Sequence, residues 1–254
     1  MTTLHLTHIQ HSQLAPSTWC ITAHVSDALW SIDIIDLSET SVWLSSSMQA
    51  ATIPLSNVNW YYRPEQRPLS TRNRALKQRR QQRQGVRKLL QRLLHVLNIQ
   101  DGLDETSFPY RLNQHQYYVC FSHTGADNLR DSKIAVVISA KGPAGIDIEH
   151  NNIAWRVVQR FYSAQEVSTL QALPIDQRDC VTKLLWQIKE SFIKVHQYTL
   201  AQGLGMNHAS LIPQLIESSE KDMVFFDITA YQNTQQPNGY RIALLPSQQT
   251  VIVF

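Results

Sequence analysis

Hydrophobic and polar positions change their rhythm along this chain, and each change marks an expected element. Between residues 17 and 60 short apolar stretches alternate with polar punctuation, so residues 19–25 and 41–44 are expected as strands. From 69 to 99 the period lengthens. Val86, Leu89, Leu90, Leu93, Leu94 and Leu97 recur at three- and four-residue spacing, the mark of an amphipathic helix. Residues 117–121 and 134–139 are expected as adjacent strands joined by a polar loop. A turn at Lys141-Gly142-Pro143 then leads into a strand over Gly145-Ile146-Asp147-Ile148-Glu149. Helices are expected over 153–162, 164–173 and 177–197, and strands over 223–231, 240–245 and 250–254. This order of elements predicts an α+β architecture in two parts.

Composition narrows the class. The chain has 254 residues, 43% of them hydrophobic and 17% charged, as in a folded globular protein of one large or two smaller domains. No apolar run approaches the ~20 residues that span a bilayer, and the first residues lack the basic start and apolar core of a signal peptide. Cys20, Cys120 and Cys180 form neither a disulfide framework nor a zinc pattern. A cytoplasmic protein with reduced thiols and no membrane partner is expected.

The net charge of +3 is unevenly spread. Arg63, Arg67, Arg72, Arg74, Lys77, Arg79, Arg80, Arg83, Arg87, Lys88 and Arg92 fall within thirty residues, against Glu65 alone. Such a run is either a solvated helix face or a surface for an anionic partner: nucleotide phosphates, an acidic protein or nucleic acid.

Two segments carry the candidate chemistry. In the 145–149 strand, alternation puts Asp147 and Glu149 on one face and Ile146 and Ile148 on the other. In the helix containing Trp186-Gln187-Ile188-Lys189-Glu190-Ser191-Phe192-Ile193-Lys194, Glu190 and Lys194 are neighbours four residues apart. Leu184, Leu185, Ile188 and Phe192 are read as the buried stripe of that helix, with Lys189, Glu190 and Lys194 away from its centre. Taken alone, Glu190 and Lys194 are an ordinary surface pair and the strand carboxylates a solvated face. Converging, they suit a hard cation such as magnesium beside a phosphate.

These motifs resemble the 4′-phosphopantetheinyl transferases of the surfactin-synthetase-activating type. Gly145–Glu149 followed by Trp186-x-x-Lys189-Glu190-Ser191 is similar to the family's signature pair. Phe121-Ser122-His123-Thr124-Gly125 resembles its Ser-His segment, and Arg160-Phe161-Tyr162-Ser163 with Glu166 its R-F-F-S-x-x-E segment. Arg83-Gln84-Gly85-Val86-Arg87 resembles its arginine-rich helix. The resemblance spans residues 74–200 and implies two similar α/β halves, 1–142 and 143–254, packed as a pseudo-twofold pair around a cleft. It further implies magnesium on Asp147, Glu149 and Glu190, and coenzyme A bound by Arg74, Arg83, Arg87, Ser122, His123, Lys189 and Lys194. Glu190 and Lys194 would be the catalytic pair, an acidic acyl or peptidyl carrier protein the acceptor, and the monomer the working unit.

The chain departs from the family pattern at two places. Phe108 stands where the family's Gly-Lys-Pro has lysine, with Arg111 as the candidate substitute. Gln197 and Thr199 replace the glycines of the K-x-x-G-x-G-L segment, so that loop is expected to avoid positive φ. A degenerate binder without transferase activity and a basic nucleic-acid-binding protein are the competing readings; no nucleic-acid motif or interleaved aromatics accompany the arginines.

Overall fold

The computed structural model describes residues 4–27, 71–125, 132–218, 221–228 and 239–254. The strand expected at 41–44 lies outside the described residues, as do Arg63 and Arg67. Antiparallel pairing joins β1 (Leu4–Ala15), β2 (Thr18–Asp27), β3 (Leu103–Asp104), β4 (Tyr110–Leu112), β5 (Tyr118–Gly125) and β6 (Ser132–Ser139). They form a six-stranded sheet in the order β1-β2-β6-β5-β4-β3. The long amphipathic helix α1 (Thr71–Val96) crosses one face of this sheet. Its Val86, Leu89, Leu90 and Leu93 are buried against Ile21, Val25, Ile134, Val136 and Ile138, which leaves the arginines outward.

A second antiparallel sheet joins β7 (Gly145–Ile148), β8 (Val224–Ile228), β9 (Tyr240–Leu245) and β10 (Thr250–Val253) in the order β7-β10-β9-β8. Between β7 and β8 the chain forms α2 (Trp155–Phe161), α3 (Ala164–Gln171), α4 (Ile175–His196), α5 (Leu200–Leu204) and α6 (Ile212–Ser218). The helix α4 covers the sheet, with Leu185, Ile188 and Phe192 packed in one cluster with Ile242, Leu244, Val251 and Val253.

The two sheets meet face to face. In β6, Ile134, Val136 and Ile138 point to α1, while the alternate Ala135 and Val137 point the other way. There they join Cys20, Cys120, Ile146, Ile148, Ala243 and Ile252 in a buried layer between the sheets. Buried on both faces, β6 and β10 read as unbroken apolar runs rather than as alternating strands. Small side chains at Cys20, Cys120, Ala135 and Ala243 fill this inter-sheet layer. Burial there pushes the Cys20 thiol up to about 12, as expected of an inert structural thiol.

One expectation about the backbone is overturned. Gln197 sits at φ 57°, ψ 35°, in the left-handed conformation. Its amide donates to the Ile193 carbonyl and ends α4, the task a glycine usually performs. A side chain there costs about 1 kcal/mol, which the packed ends of α4 and α5 outweigh. Thr199 is extended instead and begins α5 with a capping box to Gln202.

Candidate active site

Where β5, β7 and α4 come together, three polar side chains and two backbone groups share one hydrogen-bonded cluster. The strand β7 is the edge of its sheet, so its outward backbone groups need partners. The Ile148 amide donates to Ser122 Oγ of β5 at 3.2 Å. The Ile146 carbonyl accepts from Lys194 Nζ of α4 at 2.6 Å. Ser122 Oγ in turn donates to Asp147 Oδ1 at 3.0 Å, and Lys194 Nζ lies 3.0 Å from the same oxygen and 3.4 Å from Ser122 Oγ. One lysine thus ties a serine of the first sheet to an aspartate of the second.

Gly145 makes this approach possible. A Cβ there would stand 2.0 Å from the Ser191 carbonyl oxygen of α4, so only glycine lets helix and strand come this close. One turn before Lys194 on the same helix stands Glu190. Burial first, then the Asp147 and Glu149 charges, push the Glu190 carboxyl above its ordinary value, with Lys194 pulling the other way. Burial, the largest single influence, works to lower the Lys194 ammonium, but Asp147, Cys120 and Glu190 together raise it above its ordinary value, so the amine keeps its charge. Glu149 Oε1 accepts from Thr124 Oγ1 at 3.3 Å and from the His150 and Asn151 amides at 2.8 and 2.9 Å.

The donor chemistry suits magnesium: Asp147, Glu149 and Glu190 offer hard carboxylate oxygens, and Glu190 feels both of the others. In this arrangement they do not close into a shell. No group of three or more His, Cys, Asp or Glu side chains among the described residues is arranged to hold a metal ion. Asp147 Oδ1 is engaged by Lys194 and Ser122, and Glu149 caps the backbone turn that follows it.

Above the cluster opens a cavity of about 550 Å³ lined by Arg83, Val86, Arg87, Glu105, Phe108, Tyr110, Cys120, Phe121, His123 and Lys194. Arginines of α1 form one wall and an aromatic group the other, with the Phe108 and Tyr110 rings 5.4 Å apart and Tyr110 and Phe121 5.9 Å apart. His123 also lines the cavity, and partial burial first, then the Lys194 and Arg83 charges, hold its imidazole below the usual value. Phe108, 41% exposed, takes its place in the lining. Arg111 does not substitute for a lysine there: its guanidinium donates to the Tyr118 hydroxyl at 2.8 Å and lies over that ring. The Arg74 side chain lies outside the described residues.

Lys189 requires a correction. It is 0% exposed, and its ammonium is surrounded by Glu166, at 2.9 and 3.0 Å, the Leu204 carbonyl at 2.8 Å and the Met206 carbonyl. Burial pulls its ammonium below the ordinary value while Glu166 supports it. With its ammonium held by these groups, Lys189 cannot contact a ligand in the cavity. A signal was present in the spacing, because residues 185, 188, 189 and 192 share one helix face and set Lys189 inside the apolar stripe. Glu166 also closes a capping box on Ser163 and accepts from the His208 amide, joining α3, α4 and the 205–208 segment.

These features define an α+β protein with an oxygen-rich acidic cluster beneath a basic, aromatic cavity. Residues 143–245 match the 4′-phosphopantetheinyl transferase superfamily. A second similarity, 36% identity over 70 residues, is to the 4′-phosphopantetheinyl transferase psf-1 of Bacillus pumilus, and it spans 27% of this chain and 30% of that relative. Both similarities fall on the family that the motifs resemble, and the chain spans about a third of the length of the relative it matches. No helix among the described residues is long and apolar enough to cross a membrane.

Proposed function

We propose that this protein transfers the 4′-phosphopantetheine group of coenzyme A to a serine hydroxyl of an acyl or peptidyl carrier protein. The observation that carries the reading is Lys194, charged and fixed between Ser122 and Asp147 at the foot of the 550 Å³ cavity. The superfamily match over residues 143–245 supports it. In this reading the chain works as two halves, 1–142 and 143–254, related by a pseudo-twofold, in a cytoplasmic monomer.

The nucleotide end of coenzyme A would lie in the cavity, with Arg83, Arg87 and His123 toward its phosphates, since a guanidinium fork matches phosphate oxygens. Arg74, on the same helix, is assigned to the same task. Ser122 orders the floor by donating to Asp147. The carrier serine oxygen bonds to the β-phosphorus as the bond from that phosphorus to the bridging oxygen breaks. Adenosine 3′,5′-bisphosphate departs with the bridging oxygen. Phosphoryl transfer asks mainly for alignment and charge stabilisation. Lys194 steadies or protonates the departing phosphate oxygen, and the serine proton goes either to Glu190, whose carboxyl lies above its ordinary value, or to a water held at the carboxylate cluster. Magnesium, when bound by Asp147, Glu149 and Glu190, supplies charge neutralisation for the pyrophosphate.

Intact-mass spectrometry of an apo carrier domain, incubated with the protein, magnesium and coenzyme A, tests the reading. The expected result is a gain of one phosphopantetheine mass, lost in Glu190→Ala and on chelation. No gain across several carrier types overturns transfer; stabilisation by coenzyme A without transfer would then favour the degenerate binder.

A further inference from the structure

The cavity assigned to a nucleotide has a carboxylate in its wall. Glu105, from the loop between β3 and β4, lines it together with Arg83, Arg87, Phe108 and His123. For a site that takes a polyanion this is the wrong sign of charge, and the helix opposite, α1, contains no acidic residue. The two Glu105 oxygens take Nε of Arg87, at 3.1 Å, and Nη2 of the same guanidinium. Nη1 of Arg87 donates to the Arg83 carbonyl at 2.6 Å, which holds the side chain along the helix. This two-pronged grip is the one with which a guanidinium would hold a phosphate, and one edge cannot serve both at once. Lys194 is committed to Asp147, and His123 is held below its ordinary value. Among the described residues, Arg83 is the lining arginine that no acid engages.

We propose that Glu105 is a built-in competitor for Arg87, setting how tightly the cavity holds nucleotide phosphates. The inference rests on the transferase reading and names a residue that tunes its substrate and product. An arriving phosphate displaces Glu105 from the Arg87 fork; when the bisphosphate product loosens, Glu105 takes the fork back and its charge speeds departure. The competition is gentle. The pair is 43% and 36% exposed, and ion pairs in such settings change equilibria by about two- to fivefold.

Isothermal titration calorimetry of adenosine 3′,5′-bisphosphate and adenosine 5′-monophosphate into the full chain separates the possibilities. The variants are Glu105→Gln, Arg87→Gln, the double variant and Arg83→Gln, with melting midpoints confirming that each is folded. Glu105→Gln is expected to bind the bisphosphate about two- to fivefold tighter, and Arg87→Gln more weakly. Adding Glu105→Gln to Arg87→Gln should change nothing further, because competition needs both partners. Unchanged or weaker binding by Glu105→Gln overturns the inference, since Glu105 would then be idle or would be orienting Arg87. Tightening that persists without Arg87 overturns it too, leaving simple repulsion. A parent protein that binds neither nucleotide, or an Arg83→Gln variant that binds as the parent does, instead brings down the transferase reading of the cavity.

Discussion

Replacing Lys189 by methionine keeps the length and volume of the side chain and removes its charge. Glu166, 0% exposed, would keep only the Ser163 and His208 amides, at 2.8 and 2.9 Å, to offset a buried negative charge. The Leu204 and Met206 carbonyls would lose the donor they share. Breaking a buried pair from one side costs about 3–5 kcal/mol, well above the net value of the pair itself. For a chain of this size that corresponds to a melting midpoint about 6–20 °C lower. Circular dichroism during thermal and urea unfolding reads both quantities. Adding Glu166→Gln to Lys189→Met removes the orphaned charge and should recover much of the loss. Nucleotide affinity, measured on the folded variant, should not move. A stability change within the ~0.5 kcal/mol typical of exposed positions, together with lost coenzyme A binding, would refute this account and return Lys189 to the cofactor site.

Four further outcomes follow from the geometry. His208, held down to about 4 by burial and then by Lys189, binds its proton less readily folded than unfolded. Stability should therefore fall as pH drops from about 6.5 toward 4, approaching about 3 kcal/mol in total, and His208→Phe should flatten that slope in pH-dependent urea titrations. Glu190 has the opposite sign: its raised carboxyl adds stability below the unfolded value, lost as pH rises through the folded one. Glu190→Gln should thus melt higher than the parent at pH 7 but not at pH 4, while transfer falls about 10²–10⁴-fold. Gly145→Ala would press a methyl group into the Ser191 carbonyl, so unfolding titrations should show a loss of about 1–3 kcal/mol or more and the mass assay little transfer. Gln197→Gly, relieving a left-handed side chain, should stabilise by about 1 kcal/mol in the same titrations.

Residue periodicity made most of the elements legible, because α1, β5, β6 and α4 each bury a full stripe or face. The first strand escaped notice. Among the described residues β1 is an edge strand paired with β2 alone, and its middle, from Thr7 to Ser12, is mainly exposed, so its residues carry no alternation. The 41–44 expectation falls on residues the structure does not describe. At the site, Ser122, Asp147, Glu190 and Lys194 were all named from motifs, and the structure brings Ser122, Asp147 and Lys194 into contact. Lys189 was placed away from the centre of the buried stripe of α4 and assigned to the cofactor with its motif, whereas it lies inside that stripe. Its partner Glu166 lies on another helix, and a pairing of that range leaves no local pattern. Glu105 was invisible for a different reason: a lone acid in a short loop acquires meaning only when Arg87 is seen across from it.

The cluster at Ser122, Asp147 and Lys194 takes its serine from one side of the inter-sheet layer and its aspartate and lysine from the other, and Thr22 and Lys133 reach across the same seam to Gln248 and Thr124 to Glu149. On the proposed reading, catalytic competence would therefore also be a readout of assembly. If the chain were severed in the 140–143 turn, where Gly142 faces open space, the first fragment would carry the arginines and Ser122, and the second the carboxylates and Lys194. Neither piece alone could hold the constellation. If the chain is the proposed transferase and the pieces refold on meeting, fusing each to one of two proteins of interest would make phosphopantetheine labelling conditional on their encounter, and the seam would serve as a proximity sensor.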